Sequence, residues 1–240
     1  MTDRTATAPR GYQLILPPEW ARIPMRTGTD DAIRALVDDA FATLPADAPR
    51  DKVGPYRREL ERRLKDAVKE ARKAEALDLY LPVERMHGIA VPASIVVSEM
   101  KFPDEVAVDP SAVSRRLLAS PGRAGATTVV EVDGVSAVRT DRTVAAGDPG
   151  GGELDSRRVE YVIPVPGDPG RWLGVVFSTL TVGERGESDD VRDTEAAAPA
   201  TLAEYPEYPE YPEYPEYADY VDLFVELFDA MMSTFRWSRP

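Results

Sequence analysis

Cysteine is absent from the 240 residues, and histidine occurs once, at His87. Without cysteine there is no disulfide, no thiolate nucleophile, no Cys-ligated zinc and no iron–sulfur cluster. A single histidine excludes any site built on two imidazoles and leaves His87 as the only imidazole general base. Aromatics make up 8%, and 29 basic residues face 42 acidic ones, for a net charge of −13. So acidic a chain lacks the basic face that phosphate backbones require, and no nucleic-acid partner is expected. The longest apolar run, Ile89 to Val97, contains Pro92 and falls far short of a membrane span. Residues 1–10 are polar, with no apolar signal segment, so membrane insertion is not expected and the expected location is cytoplasmic.

What is present is unevenly distributed. Between Glu184 and Asp219 lie twelve carboxylates against Arg185 and Arg192, so this stretch carries −10 and the rest of the chain only −3. Its core is the repeat EYPEYPEYPEYPEY, Glu204 to Tyr217. Such a composition buries too little apolar surface to offset its ordering entropy, and 184–217 is expected to be a disordered or extended acidic insert. Residues 1–10 are expected to be a disordered N-terminus. The remaining residues, 11–183 and 218–237, are expected to form one domain.

Periodicity organises that domain. Tyr12, Leu14 and Leu16 alternate, Pro17-Pro18-Glu19-Trp20 turns, and Ala21, Ile23 and Met25 alternate again, which predicts an N-terminal hairpin. Thr29, as N-cap, opens a helix with Ile33, Leu36, Val37, Ala40 and Phe41 at helical spacing, ended by Pro45. A second helix is predicted from Pro55 to about Ala76, with Tyr56, Leu60, Leu64, Ala67, Val68 and Ala71 as its stripe. Strands follow: 77–83, with Asp78 and Tyr80 on the polar side, and 94–100. A short helix from Asp109-Pro110 comes next. Val129 to Val138 folds about Asp133-Gly134 as a type I′ hairpin. Val159 to Val165 alternates, whereas Trp172 to Val182 is apolar on both faces and reads as a central strand. Asp219 opens a last helix to about Phe235, with a wide apolar stripe. The fold class is α+β: an antiparallel-rich sheet flanked by helices.

The strand ending in Pro18-Glu19-Trp20, the Asp133-Gly134 hairpin, the strand Trp172 to Thr179, and the closing helix with Leu227-Phe228-Asp229 and Ser233-Thr234-Phe235-Arg236-Trp237 together resemble the PsbP/Mog-like α/β/α sandwich family. The chain also resembles cytosolic proteins of high-GC Gram-positive bacteria, some associated with type VII secretion. The resemblance covers 11–183 and 218–237 in element order. It implies a mostly non-catalytic protein that acts through protein partners, with no contact residues to transfer. The absent export signal, the paired helices over 29–76 and the insert depart from the family pattern.

The repeat is the most individual candidate site. Period three matches the polyproline II turn, placing Tyr205, Tyr208, Tyr211, Tyr214 and Tyr217 on one edge and glutamates on another. That is an acidic-aromatic ligand for a basic groove, or else a solvated spacer. The second helix carries eight Lys/Arg between 57 and 73. Arg58, Arg62, Lys65 and Lys69 are candidates to receive an acidic protein partner or the chain's own repeat, against the plainer alternative of a solvated face laced with i,i+4 pairs. His87 lacks a local nucleophile and acid beyond Ser94 and Glu84. The glycine-rich 147–152 lacks the Lys-Ser/Thr of a phosphate loop, and Glu99, Asp104 and Glu105 have no EF-type spacing. No catalytic residue, cofactor or metal is expected. The expectation is a non-enzymatic binding or adaptor module. A small-ligand binder or hydrolase near His87, and a homo-oligomer subunit using the C-terminal helix, are the alternatives.

Overall fold

The computed structural model describes residues 8–42, 50–102, 113, 115–116, 125–148, 154–168, 170–181 and 218–238. The expected insert, most of the short helix after Asp109 and the middle of the glycine-rich loop lie outside them.

Strands Trp20–Pro24 (β2), Ala76–Pro82 (β3), Ala93–Lys101 (β4), Ala126–Val132 (β5), Val135–Val144 (β6), Ser156–Pro164 (β7) and Arg171–Leu180 (β8) form one seven-stranded sheet. Its order is β2-β3-β4-β8-β7-β6-β5, and every pairing is antiparallel. The helices among the described residues are Thr29–Ala42 (α1), Arg50–Lys73 (α2) and Ala218–Ser233 (α3). The molecule is α+β, and none of these helices is long and apolar enough to cross a membrane.

Apolar character on both faces of β8 puts it at the centre of the strand order. One face turns Ile95, Val97, Tyr161, Ile163, Val175 and Phe177 toward α3, which buries Phe224, Phe228, Met231 and Met232 against them. The other face packs Ile23 and Leu79 against Ile33 and Val37 of α1 and Val68 of α2. Farther along that second face, Trp172, Val138 and Val162 pack on Val113, which is fully buried within the expected short helix.

The β5–β6 hairpin follows its sequence closely. Val132 pairs with Val135 and Val130 with Ala137, while Asp133 (φ 46°) and Gly134 (φ 79°) take the left-handed conformations that a type I′ turn demands. Asp133 also accepts a hydrogen bond from the Trp237 backbone N–H at 2.9 Å, tying the turn to the C-terminus. Gly134→Ala is expected to cost about 1–2 kcal/mol, the price of a Cβ at left-handed φ. Urea unfolding with an unchanged slope checks this.

Several sequence expectations are corrected. No N-terminal hairpin forms. Gly11–Gln13 (β1) pairs instead with Arg236–Ser238 (β9), as a separate two-stranded sheet, and β2 pairs with β3. The alternation of Tyr12, Leu14 and Leu16 reports burial against the main core, not pairing with β2. Pro17 and Pro18 lack the N–H groups a ladder needs. Thr29 is the first helical residue, not a cap. Gly28, at φ 78°, supplies the carbonyl that accepts from the Ala32 N–H, while the Thr29 hydroxyl donates to the Pro24 carbonyl and accepts from Arg72. Helix α2 begins at Arg50, five residues before Pro55, and Tyr56 of the predicted stripe is 72% exposed. In β3 both faces are covered, so Asp78 and Tyr80 are buried while Val83 lies past the strand and is exposed.

Candidate functional site

On α2 the sequence already dictates the outcome for most cations, because acids stand three or four residues away from them. Arg62 binds Glu59 and Asp66, Arg63 binds Glu59, Lys65 binds Glu61 and Lys73 binds Glu70. The hydrogen bonds from Arg62 and Arg63 hold the Glu59 carboxyl down at about 2. Arg57 reaches across to Asp38 of α1. Arg58 and Lys69 make no ion pair with described residues. Of the candidate cations, Arg62 and Lys65 are therefore already neutralised by neighbours, whereas Arg58 and Lys69 meet no acid among the described residues. The five candidate tyrosines of the repeat lie outside the described residues.

A trough of about 1240 Å³ lies on the second face of the sheet. Leu36 and Ala40 of α1 and Leu60 and Leu64 of α2 form its roof. Ala21, Leu81, Ala93 and Ser94 form its floor, and Pro18, Val83, Pro92 and Leu180 its lip. Two of these lip residues, Val83 and Leu180, are exposed apolar side chains at 50% and 38%. The polar contribution is sparse: Asp39, Glu84, Ser94, Ser156, Ser178 and Thr179. The trough arises because the helix pair covers only the β2–β4 part of this face and Val113 covers the β6–β8 part. Among the described residues, nothing covers the strand ends between them.

The trough borders the Glu84–Val91 turn, yet His87 is not in its lining. That residue is exposed, at φ 49°, at the tip closed by the Met86–Ile89 bridge. Ser94 sits on the floor in β4, opposite Ser178 in β8. The structure does not bring the imidazole and this hydroxyl together in one site. Among the described residues no group of three or more metal-ligating side chains converges. The stripe of α3 expected as an oligomer surface is consumed by the core. Leu223, at 51%, is the exposed large apolar side chain on that helix.

Two polar clusters lie on the α3 face. Asp229 of α3 accepts two hydrogen bonds from Arg139 (3.0 and 2.8 Å) and one from the Tyr161 hydroxyl (2.7 Å). Asp141 ties Arg139 to Arg157. At the other end, Asp78 accepts from the Tyr12 hydroxyl and from Arg22, and Tyr80 stands 3.2 Å from Tyr12. The sequence pattern missed this second cluster because it assigned Asp78 to the solvent side. A carboxylate flanked by Leu77 and Leu79 in an apolar strand was the available signal.

Burial is the main cause that pushes the phenols of Tyr12, Tyr80 and Tyr161 above the ordinary tyrosine value. An acid with a raised folded pKa holds its proton longer in the native state than in the unfolded chain. Its stabilising effect is thus complete below about pH 10 and is lost as pH rises through that value. The melting temperature is expected to fall steeply above about pH 10, and the slope to flatten in Tyr12→Phe and Tyr161→Phe. Calorimetry between pH 8 and 11.5 checks this, and an unchanged slope in both variants would remove these tyrosines as its cause.

No protein-family model matches the chain, and no curated protein matches it.

Proposed function

We propose that the protein is a non-catalytic binding or adaptor module of the cytoplasm, which takes an apolar segment of a protein partner into the trough between the helix pair and the sheet. The observation that carries this reading is the trough itself. At about 1240 Å³ it exceeds the roughly 300–1,000 Å³ that encloses a drug-sized ligand. Its lining is mainly aliphatic and proline side chains, with Trp20 and six polar residues among them, and its lip exposes apolar residues. Such a surface suits a chain segment that lays down several apolar side chains.

The PsbP/Mog-like resemblance agrees with this role, since that family acts through protein partners; helices over both faces of an antiparallel sheet are what such a fold requires. Arg58 and Lys69 would attract acidic flanks of the bound segment, and Arg62 and Lys65 would do so only by exchanging their present carboxylates. The acidic insert, on this reading, is a tether for partner contact through Tyr205, Tyr208, Tyr211, Tyr214 and Tyr217. A role accessory to a secretion system belongs to the same proposal.

A photo-crosslinking residue placed at Leu180, on the lip, tests the proposal in the native cell. One at Leu223, on the far side of the sheet, serves as control. Capture of a defined protein from Leu180 but not from Leu223 is expected, with at least a tenfold drop on adding Ser94→Arg, which fills the floor. Equal capture at both positions, or capture indifferent to Ser94→Arg at unchanged melting temperature, would sink it.

A further inference from the structure

On the α3 face, at the end of the sheet opposite to Leu180, lies a second cleft of about 300 Å³. Four guanidiniums, those of Arg10, Arg22, Arg26 and Arg171, line it against two carboxylates, Asp78 and Glu99. The carboxylates form the base: Asp78 is 3% and Glu99 17% exposed. The guanidiniums form the rim, with Arg22 at 59%, Arg26 at 74% and Arg171 at 41%. Arg22 gives one hydrogen bond to Asp78 (2.7 Å), and Arg26 and Arg171 give one each to Glu99 (3.3 and 3.1 Å). Arg171 also reaches Asp168 at 3.2 Å. Most N–H donors of these forks are therefore still turned to water, and Arg10 makes no ion pair with described residues. Tyr12 and Trp237 complete the wall, both packed on Phe235, and the buried indole N–H of Trp237 has no hydrogen-bond partner among the described residues.

A surplus of guanidinium donors beside aromatic faces selects a carboxylate-bearing, aromatic ligand, because the planar fork grips a carboxylate bidentately and stacks on aromatic rings. The chain itself contains that chemistry in its repeat, where Glu and Tyr recur every third residue from Glu204 to Tyr217. Reach is adequate. Helix α3, 16 residues long, spans roughly 24 Å from Ala218 toward the cleft. Glu204 lies fourteen residues before Ala218, so a stretched chain covers roughly 43 Å at about 3.1 Å per residue.

We propose that the arginine cleft formed by Arg10, Arg22, Arg26 and Arg171 is the intramolecular docking site of the chain's own Glu-Tyr-Pro repeat. The cleft is separate from the apolar trough, and docking there competes with the partner contact assigned above to the repeat tyrosines, so either reading can fail without the other.

The test uses the full chain with ¹⁵N-labelled tryptophan and follows the indole signal of Trp237, with Trp20, which lies outside the cleft, as internal control. A variant with Glu204, Glu207, Glu210, Glu213 and Glu216 all changed to Gln should shift the Trp237 signal while the Trp20 indole stays in place. High salt should move the wild-type signal toward that of the variant. Arg10→Glu combined with Arg26→Glu should abolish the difference between the Glu and Gln forms. Adding a free peptide of residues 204–217 to the Gln variant should restore the wild-type position, at least tenfold less effectively once both arginines are reversed. Coincident Trp237 signals in wild type and the Gln variant overturn the proposal, even if the free peptide binds. A wild-type shift that grows with protein concentration also overturns it, in favour of a second copy's repeat.

Discussion

Phe228→Ala is expected to lower the stability of the folded protein by about 3–5 kcal/mol, the range for truncating a buried phenylalanine. Phe228 is fully buried at the centre of the α3 interface. Its ring stacks on Phe177 of β8 at 5.0 Å and meets the edge of Tyr161 of β7 at 5.6 Å. A phenylalanine buries on the order of 200 Å², worth about 5 kcal/mol at about 25 cal/mol per Å². The relaxed cavity determines how much of that is lost. In a domain of this size each kcal/mol shifts the melting temperature by roughly 2–4 °C, so a drop on the order of 10 °C is expected. Leu223→Ala, half-exposed on the opposite side of the same helix, should stay within about 0.5 kcal/mol. Equal effects at both positions would mean that α3 is not held by this face.

The contrast between these two positions shows what the sequence makes legible. The 3.6-residue spacing of Phe224, Phe228 and Met231 declares a buried face without any knowledge of its partner, because a helix that exposed it would not be stable alone. The central place of β8 is equally legible, since only a strand covered on both sides tolerates apolar residues at every position. What pattern cannot show is which distant segment completes a pairing. The alternation through Tyr12 to Leu16 looked like half of a hairpin, yet the partner of β1 lies at Arg236–Ser238, more than two hundred residues away. Local alternation records burial and says nothing of the ladder. The same blindness hid both hollows. The trough assembles roof and floor from α1, α2, β2, β3 and β4, and the arginine cleft gathers residues 10, 22, 26 and 171 from three separate stretches. On α2, by contrast, the i,i+3 and i,i+4 spacing of acids and bases was sufficient to anticipate its ion pairs, since a helix puts those residues side by side.

The N-terminal strand depends on one buried carboxylate. Asp78 accepts from Tyr12 of β1 and Arg22 of β2, with its side chain 3% exposed, so it joins the small sheet to the large one. Asp78→Ala is expected to cost about 1–3 kcal/mol, because it takes the carboxylate acceptor from the buried Tyr12 hydroxyl and leaves it only the Tyr80 hydroxyl at 3.2 Å. Arg22, 59% exposed, can return its charge to water and adds little to that cost. Tyr12→Phe removes only the donor, leaves Asp78 paired with Arg22, and should cost about 1–2 kcal/mol. If the two groups act as a pair, Asp78→Leu/Tyr12→Phe should be less destabilised than the sum of Asp78→Leu and Tyr12→Phe by about 1 kcal/mol or more. Replacing both partners by apolar groups leaves neither stranded. Amide exchange gives the spatial check. In Asp78→Ala, protection should fall first at β1 and its partner β9, while the central β4–β8 pair keeps the protection set by global unfolding. Strict additivity of the two substitutions, or uniform loss of protection across both sheets, would show that β1 is held by the stacking of Tyr12 on Phe235 and not by its hydroxyl.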